Sequence, residues 1–286
     1  MVKESCIREF AAKGWQEAKE ILLSIASRRR VTYFRGQADA AWALESSFAR
    51  LMKKLARQSE ARGRRWETPD EVVEGALRER FREAYHRIPG ASRFPEEEDE
   101  YEALAQHYSL PTRLLDWSRS PYIAAFFAFD GCKTSVFPPG HDVAIWALDW
   151  DMFELCLYYG YRESEPDRPP SKRPEDVRAG LKELRQDNWP RIDRVEIKGN
   201  PNRRLVYQEG LFTRAIKAED DIEMYLRNRS RFAPGTALAK ITIPGDQQAE
   251  ALGDLDLMTI NPVTLMNDPQ GAAAAAFNSV VRFELQ

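Results

Sequence analysis

"YFRGQADAAWAL", residues 33–44, is the stretch on which the reading of this chain turns. Val31, Thr32, Tyr33 and Phe34 form a strand-like run that ends in Arg35 and Gly36, with polar residues after it. An arginine at a strand end beside a glycine suits a guanidinium aimed at an anion, with backbone brought close to it. An exposed salt bridge followed by a turn would use the same residues. The triplet alone leaves both readings open, so the rest of the chain has to decide.

Upstream, Phe10, Trp15, Ala18, Ile21, Leu22 and Ile25 recur at helical spacing, which predicts a helix over 8–28 leading into the strand at Val31. Downstream, "SSFARLMKKLARQ" reads as an amphipathic helix. "TPDEVVEGALRERFREAYH" (68–86) reads as another, opened by a capping box of Thr68 and Glu71 with Pro69 at its first position. The acidic run "EEEDE" suits the first turn of a helix that ends near "LAQHY". "SPYIAAFFAFD" predicts a buried helix capped by Ser120, "DVAIWALDW" a strand and "DMFELCLYYG" a helix. The proline-rich "YRESEPDRPPSKRP" (161–174) reads as a mobile loop beside the site. A helix over about 175–187, a strand at "RVEIK", a strand, turn and extended piece in "RRLVYQEGLFTRA", and a strand at "ALAKITIPG" complete the pattern, ahead of a helical tail. Helices and strands mix without a βαβ rhythm. The expected fold is α+β, one domain over 1–286 with a mixed central sheet and flanking helices, the segment 1–30 helical and the core running from 31.

The 286 residues are 43% hydrophobic and 30% charged with net charge −3, an ordinary globular balance that excludes a disordered chain and a globally basic nucleic-acid binder. Local arginine clusters stand out at Arg28–Arg30 and at Arg227, Arg229 and Arg231. Cys6, Cys132 and Cys156 are sparse and lack C-x-x-C spacing, which favours a reducing compartment and no zinc site. The first residues lack an apolar signal core, and "YIAAFFAF" is too short to span a membrane. A cytoplasmic, soluble protein without a membrane role is expected. No dinucleotide fingerprint, P-loop, zinc-protease helix, calcium loop or hydrolase elbow occurs, and three scattered histidines do not make a metal centre.

Two more stretches carry polar groups where a pocket could form. In "LAQHYSLPTRLLDWSRSPYIAAFFA" (104–128), His107 fits a capping or core histidine as well as a ligand contact. Asp116 fits a buried partner of Arg113 or Arg35 as well as a catalytic role. In "RRLVYQEGLFT" (203–213), Gln208 and Glu209 close a strand before Gly210, which a hairpin tip would also explain.

Together, these three blocks resemble the FRG domain family of bacterial and phage proteins, whose name comes from the Phe34-Arg35-Gly36 triplet. The "KITIPGDQQAEALGDLDLMTINPVTLMNDPQGAAAAA" tail resembles the family's ending, so the likeness runs along nearly the whole chain. Ser109 stands where the family usually has glycine, Ser118 where threonine is common, and "TLMNDPQG" is a looser form of the family's ending. The block order is further similar to Arg-Ser-Glu ADP-ribosyltransferases. That likeness implies an NAD cleft with Arg35, Ser118 and Gln208 or Glu209 as catalytic residues. It also implies Arg35, Gly36, Gln37, His107, Arg113 and Asp116 as NAD-binding residues, with no metal. The chemistry is consistent: an arginine fork pairs with a pyrophosphate, and a carboxylate or amide near the ribose stabilises the charge that develops as nicotinamide leaves. The implied function is an NAD-consuming ADP-ribosyltransferase or NAD glycohydrolase, a toxin or antiphage effector. Its partners would be NAD, a protein or nucleic-acid acceptor, and an antitoxin or defence protein. The alternative is a nucleotide- or RNA-binding module whose Arg35, Arg113 and His107 grip phosphates without transfer.

Overall fold

A computed structural model describes residues 6–27, 31–131, 141–163, 167, 170–171, 173–186, 192–197, 203–215, 221–229 and 235–284. The Arg28–Arg30 cluster, Arg231, Cys132 and most of the proline-rich stretch lie outside the described residues. The strands are β1 (Ile7–Ala11), β2 (Thr32–Gln37), β3 (Leu114–Ser118), β4 (Asp142–Asp149), β5 (Ile192–Val195), β6 (Gly210–Ala215) and β7 (Leu238–Pro244). They form one seven-stranded sheet in the order β1-β7-β4-β2-β3-β6-β5, with β1 parallel to β7 and every other neighbour antiparallel. The α+β fold with a mixed central sheet is thus as expected.

The helices are α1 (Trp15–Ala26), α2 (Ser47–Glu60), α3 (Asp70–Tyr85), α4 (Glu98–His107), α5 (Pro121–Asp130) and α6 (Trp150–Glu163). They continue with α7 (Pro174–Gln186), α8 (Arg203–Tyr207), α9 (Ile222–Arg229), α10 (Gln248–Leu257), α11 (Pro262–Met266) and α12 (Pro269–Glu284). They cover both faces of the sheet. One face packs Phe34, Ile145 and Ile241 against Trp15 and Leu22 of α1, the apolar α5, and Leu252 and Leu255 of α10. The other packs Tyr33, Trp117 and Trp146 against Phe153 and Leu157 of α6 and Leu226 of α9. Central β4 feeds both layers, which is why its Val143–Leu148 run is apolar without alternation. As read from the sequence, Ser120 caps α5 by accepting the Ile123 N–H, with Pro121 at the first position. No helix among the described residues is long and apolar enough to cross a membrane.

Three local expectations fail. The start of the predicted 8–28 helix is strand β1: extended Gly14 opens α1 late, and β7 offers Ile7–Ala11 an edge with which to pair. The Thr68–Glu71 capping box does not form, because Pro69 takes the N-cap position with no side-chain bond and the helix starts at Asp70. "RRLVY" is helix α8 rather than a strand, and Gln208 and Glu209 are the turn into β6, with Glu209 left-handed at φ 47°. Leu205 of α8 packs with Leu114, Val195 and Phe212, and this burial overrides the strand preference of its neighbours.

Candidate functional site

The centre of the sheet contains a fork. β2 pairs with β4 over six residues, from Thr32↔Asp149 to Gln37↔Ala144, but with β3 only at Phe34↔Ser118. Past that pair β2 and β3 diverge, and Arg35 stands where they part. Arg35 therefore does not end its strand, which continues to Gln37; only the pairing with β3 stops. Its side chain starts on the Tyr33–Trp146 face and turns toward β3. There Nη1 donates to the Asp116 carbonyl at 2.8 Å and approaches the Asp116 carboxylate at 3.4 Å. Nε is buried and has no acceptor. Burial pulls the Arg35 guanidinium below its ordinary value, Asp116 opposes that, and nearby Arg50 adds to the lowering. It stays a cation at neutral pH.

Asp116 is the partner expected for an arginine, but it is not enclosed: its side chain is 61% exposed. Order comes from α4. Gln106 donates to the Asp116 carboxylate at 2.6 Å and accepts from the Thr112 hydroxyl. Thr112 is in turn locked to the start of α2, since its carbonyl accepts the Phe48 N–H at 3.0 Å and its N–H donates to the Ser47 hydroxyl at 3.0 Å. A relay Thr112–Gln106–Asp116–Arg35 thus links α2, α4, β3 and β2. The sequence reading missed Gln106 and Thr112 as site residues, although both belong to the block that carries the family resemblance.

Other candidates have different work. Gly36 lies under α5, where an added Cβ would come within 2.0 Å of the Ala124 carbonyl oxygen and 2.6 Å of the Ala128 nitrogen. The glycine admits a helix backbone rather than a ligand. Buried Gln37 accepts from Trp146 Nε1 at 2.7 Å and donates to the Ala43 carbonyl at 3.1 Å, so its amide is used in holding the sheet. Arg113 does not reach Asp116; it is 5% exposed, donates through Nε to the Glu74 carboxylate at 3.1 Å, lies 3.6 Å from Asp70, and stacks over Phe48. That network ties α3 to α2. His107 ends α4 half-buried, its ring meeting Tyr108 at 4.9 Å between centroids, and it is Gln106 that reaches Asp116.

Ser118 is buried and shares a strand face with Asp116. Its hydroxyl donates to the Gln208 carbonyl at 2.8 Å and accepts the Ser120 N–H at 3.0 Å, fastening the turn before β6 to the start of α5. The Gln208 amide points away, to the Leu265 carbonyl at 3.3 Å. Glu209 is exposed beside it, its carbonyl accepting the Arg119 N–H at 3.1 Å. Neighbouring residues on a strand face opposite sides, but both of these precede β6, so strand alternation does not decide which of them faces the site.

The model of the FRG domain family matches residues 30–135, the part of the chain running from β2 through α5. The match contains Arg35, Gln106, Thr112, Asp116 and Ser118 and stops short of Gln208, Glu209 and the tail, so it is narrower than the likeness read along the sequence. No curated protein and no solved structure matches the chain. The Phe34-Arg35-Gly36 triplet and the relay through Asp116 both fall inside residues 30–135, the segment that the FRG domain model matches.

Proposed function

We propose that the protein consumes NAD in the cytoplasm, as an ADP-ribosyltransferase or NAD glycohydrolase, and acts as a toxin or antiphage effector. The observation that carries this reading is the state of Arg35. One nitrogen of its guanidinium, Nη1, is anchored to Asp116, while the buried Nε has no acceptor among the described residues. A buried donor without a partner costs about 1–3 kcal/mol, a cost that a pyrophosphate oxygen would remove. The proposed dinucleotide site lies where β2 and β3 part, beside Arg35.

In the proposed reaction the bond between the ribose anomeric carbon and the nicotinamide nitrogen breaks, and its electron pair leaves with nicotinamide. The acceptor's oxygen or nitrogen attacks that carbon and loses its proton. Asp116, exposed and held by Gln106, is the carboxylate nearest Arg35 and suits stabilisation of the cationic ribose. Glu209 is the better of the two turn residues for taking the acceptor's proton, since its carboxylate is exposed whereas the Gln208 amide is engaged. The engagement of Ser118 and Gln208 in structural bonds favours the second reading, a nucleotide-binding module without transfer.

Nicotinamide release from NAD separates the two. Turnover by wild type, loss of about ten- to a hundredfold in Arg35→Lys, which lacks the fork, and loss in Asp116→Asn support the enzyme. NAD binding without nicotinamide release in wild type leaves the module.

A further inference from the structure

Helix α2 and the turn after it concentrate positive charge that the site above does not use. Residues 50–66 hold Arg50, Lys53, Lys54, Arg57, Arg62, Arg64 and Arg65 against one acid, Glu60, in a chain whose net charge is −3. All seven basic side chains are exposed. Arg50, Lys53, Lys54 and Arg57 fall at i, i+3, i+4 and i+7 and so share one face of α2. Glu45 engages Lys53, and its carbonyl accepts from Arg50 at 2.7 Å.

The turn folds the remaining charges back alongside. The Arg64 N–H bonds the Ser59 carbonyl at 3.0 Å and the Gly63 N–H bonds the Glu60 carbonyl at 2.8 Å, a helix stop that needs Gly63 at φ +69°. The result is an open groove. One part, of about 470 Å³, is lined by Arg50, Lys53, Lys54 and Arg57. The next, of about 500 Å³, is lined by Arg62, Arg64, Arg65 and Trp66, and the two share Gln58. Trp66 supplies an independent observation: an indole ring lines the groove beside Arg62, Arg64 and Arg65.

We infer that this groove binds a single-stranded polynucleotide. Cations in a row along one helix face are the footprint of a phosphodiester backbone, and five of the seven are arginines, whose forks suit phosphate. An aromatic ring at the end of such a row suits an unpaired base, which can stack on it. An acidic protein would neutralise the charge but would have no flat base to stack on the Trp66 ring. The inference does not rest on NAD consumption, and its test uses no NAD.

The test is fluorescence anisotropy of labelled single-stranded RNA titrated with the full chain over a range of salt. Single-stranded DNA, the RNA duplex and a polyglutamate of equal charge serve as parallel probes. Wild type should bind the strands with a steep salt dependence. The double variant Lys54→Glu with Arg57→Glu should bind at least about tenfold more weakly, with a log–log salt slope lower by about two. A matched reversal on exposed α7 residues, Arg178→Glu with Lys182→Glu, should leave binding unchanged. Trp66→Leu should weaken strand binding while leaving polyglutamate binding and the salt slope alone. Equal affinity for RNA and DNA, or a preference for either, fits a backbone-held single strand. Absence of binding by wild type overturns the inference, as does equal damage from the α7 pair. Polyglutamate binding as tight as the strands overturns it too, and so does tighter binding of the duplex. Unchanged melting temperatures keep misfolding out of each comparison.

Discussion

Gly36 gives the sharpest expectation for a single residue. Gly36→Ala would drive a methyl group into the backbone of α5, whose carbonyl and amide atoms have no rotamer with which to yield, so a loss on the order of 3 kcal/mol is expected by denaturant unfolding. Gly75→Ala is the contrast: nothing lies within 4 Å of the added carbon and the position is inside α3, so a gain of about 0.5–1 kcal/mol is expected. Equal midpoints for the two would contradict the packing account of the triplet's glycine. Glu102 gives an expectation in pH. Its side chain is buried on α4 against Arg214 of β6 at 3.0 Å, with one oxygen lacking a partner, and burial raises its carboxyl despite the arginine. For Arg214 burial acts downward, but two carboxylates, Glu102 and Asp99, more than offset it. A raised acid contributes stability that is whole below its ordinary value of 4.5 and is lost as pH climbs through the shifted value. Wild type should therefore lose stability relative to Glu102→Gln on going from about pH 4 toward neutral, and parallel pH profiles would contradict this.

Among the elements, the end of α4 joins what the sequence revealed to what it hid. The Leu110 N–H bonds the Ala105 carbonyl and the Ser109 N–H bonds the Gln106 carbonyl, both at 2.9 Å, with Ser109 left-handed at φ 62°. This helix stop favours glycine, the residue the family usually has there, so Ser109→Gly should stabilise the chain by roughly 1 kcal/mol in thermal unfolding. A destabilised variant would show that the serine hydroxyl matters more than the backbone. Helices α2, α4 and α5 and strand β4 were legible because periodicity, an acidic first turn, a Ser-Pro cap and a continuous apolar run are local signals. β1 and α8 were not. Ile7–Ala11 is a strand because β7 lies beside it, and Leu205 is helical because it packs against the distant Leu114 and Val195. The site divided in the same way: Arg35 and Asp116 stood out as polar residues among apolar ones, whereas Gln106 and Thr112 join them only when α4 folds back over β3.

At the scale of the whole molecule, five pairs of neighbouring strands pair over several residues and the sixth, β2 with β3, pairs at one. A sheet that parts at its centre exposes backbone which would otherwise be paired, and Arg35 bridges that parting by bonding the Asp116 carbonyl. Arg35 is proposed also to take the phosphates of NAD, and a thermal-shift titration of NAD into wild type, Arg35→Lys and Arg35→Ala tests this most directly. Wild type should gain about 2.7 kcal/mol of apparent stability at NAD a hundredfold above its dissociation constant. Arg35→Lys should need about ten- to a hundredfold more NAD for the same shift, and Arg35→Ala should show none at that concentration. Equal shifts in wild type and Arg35→Lys, or none in wild type at millimolar NAD, would contradict the phosphate role.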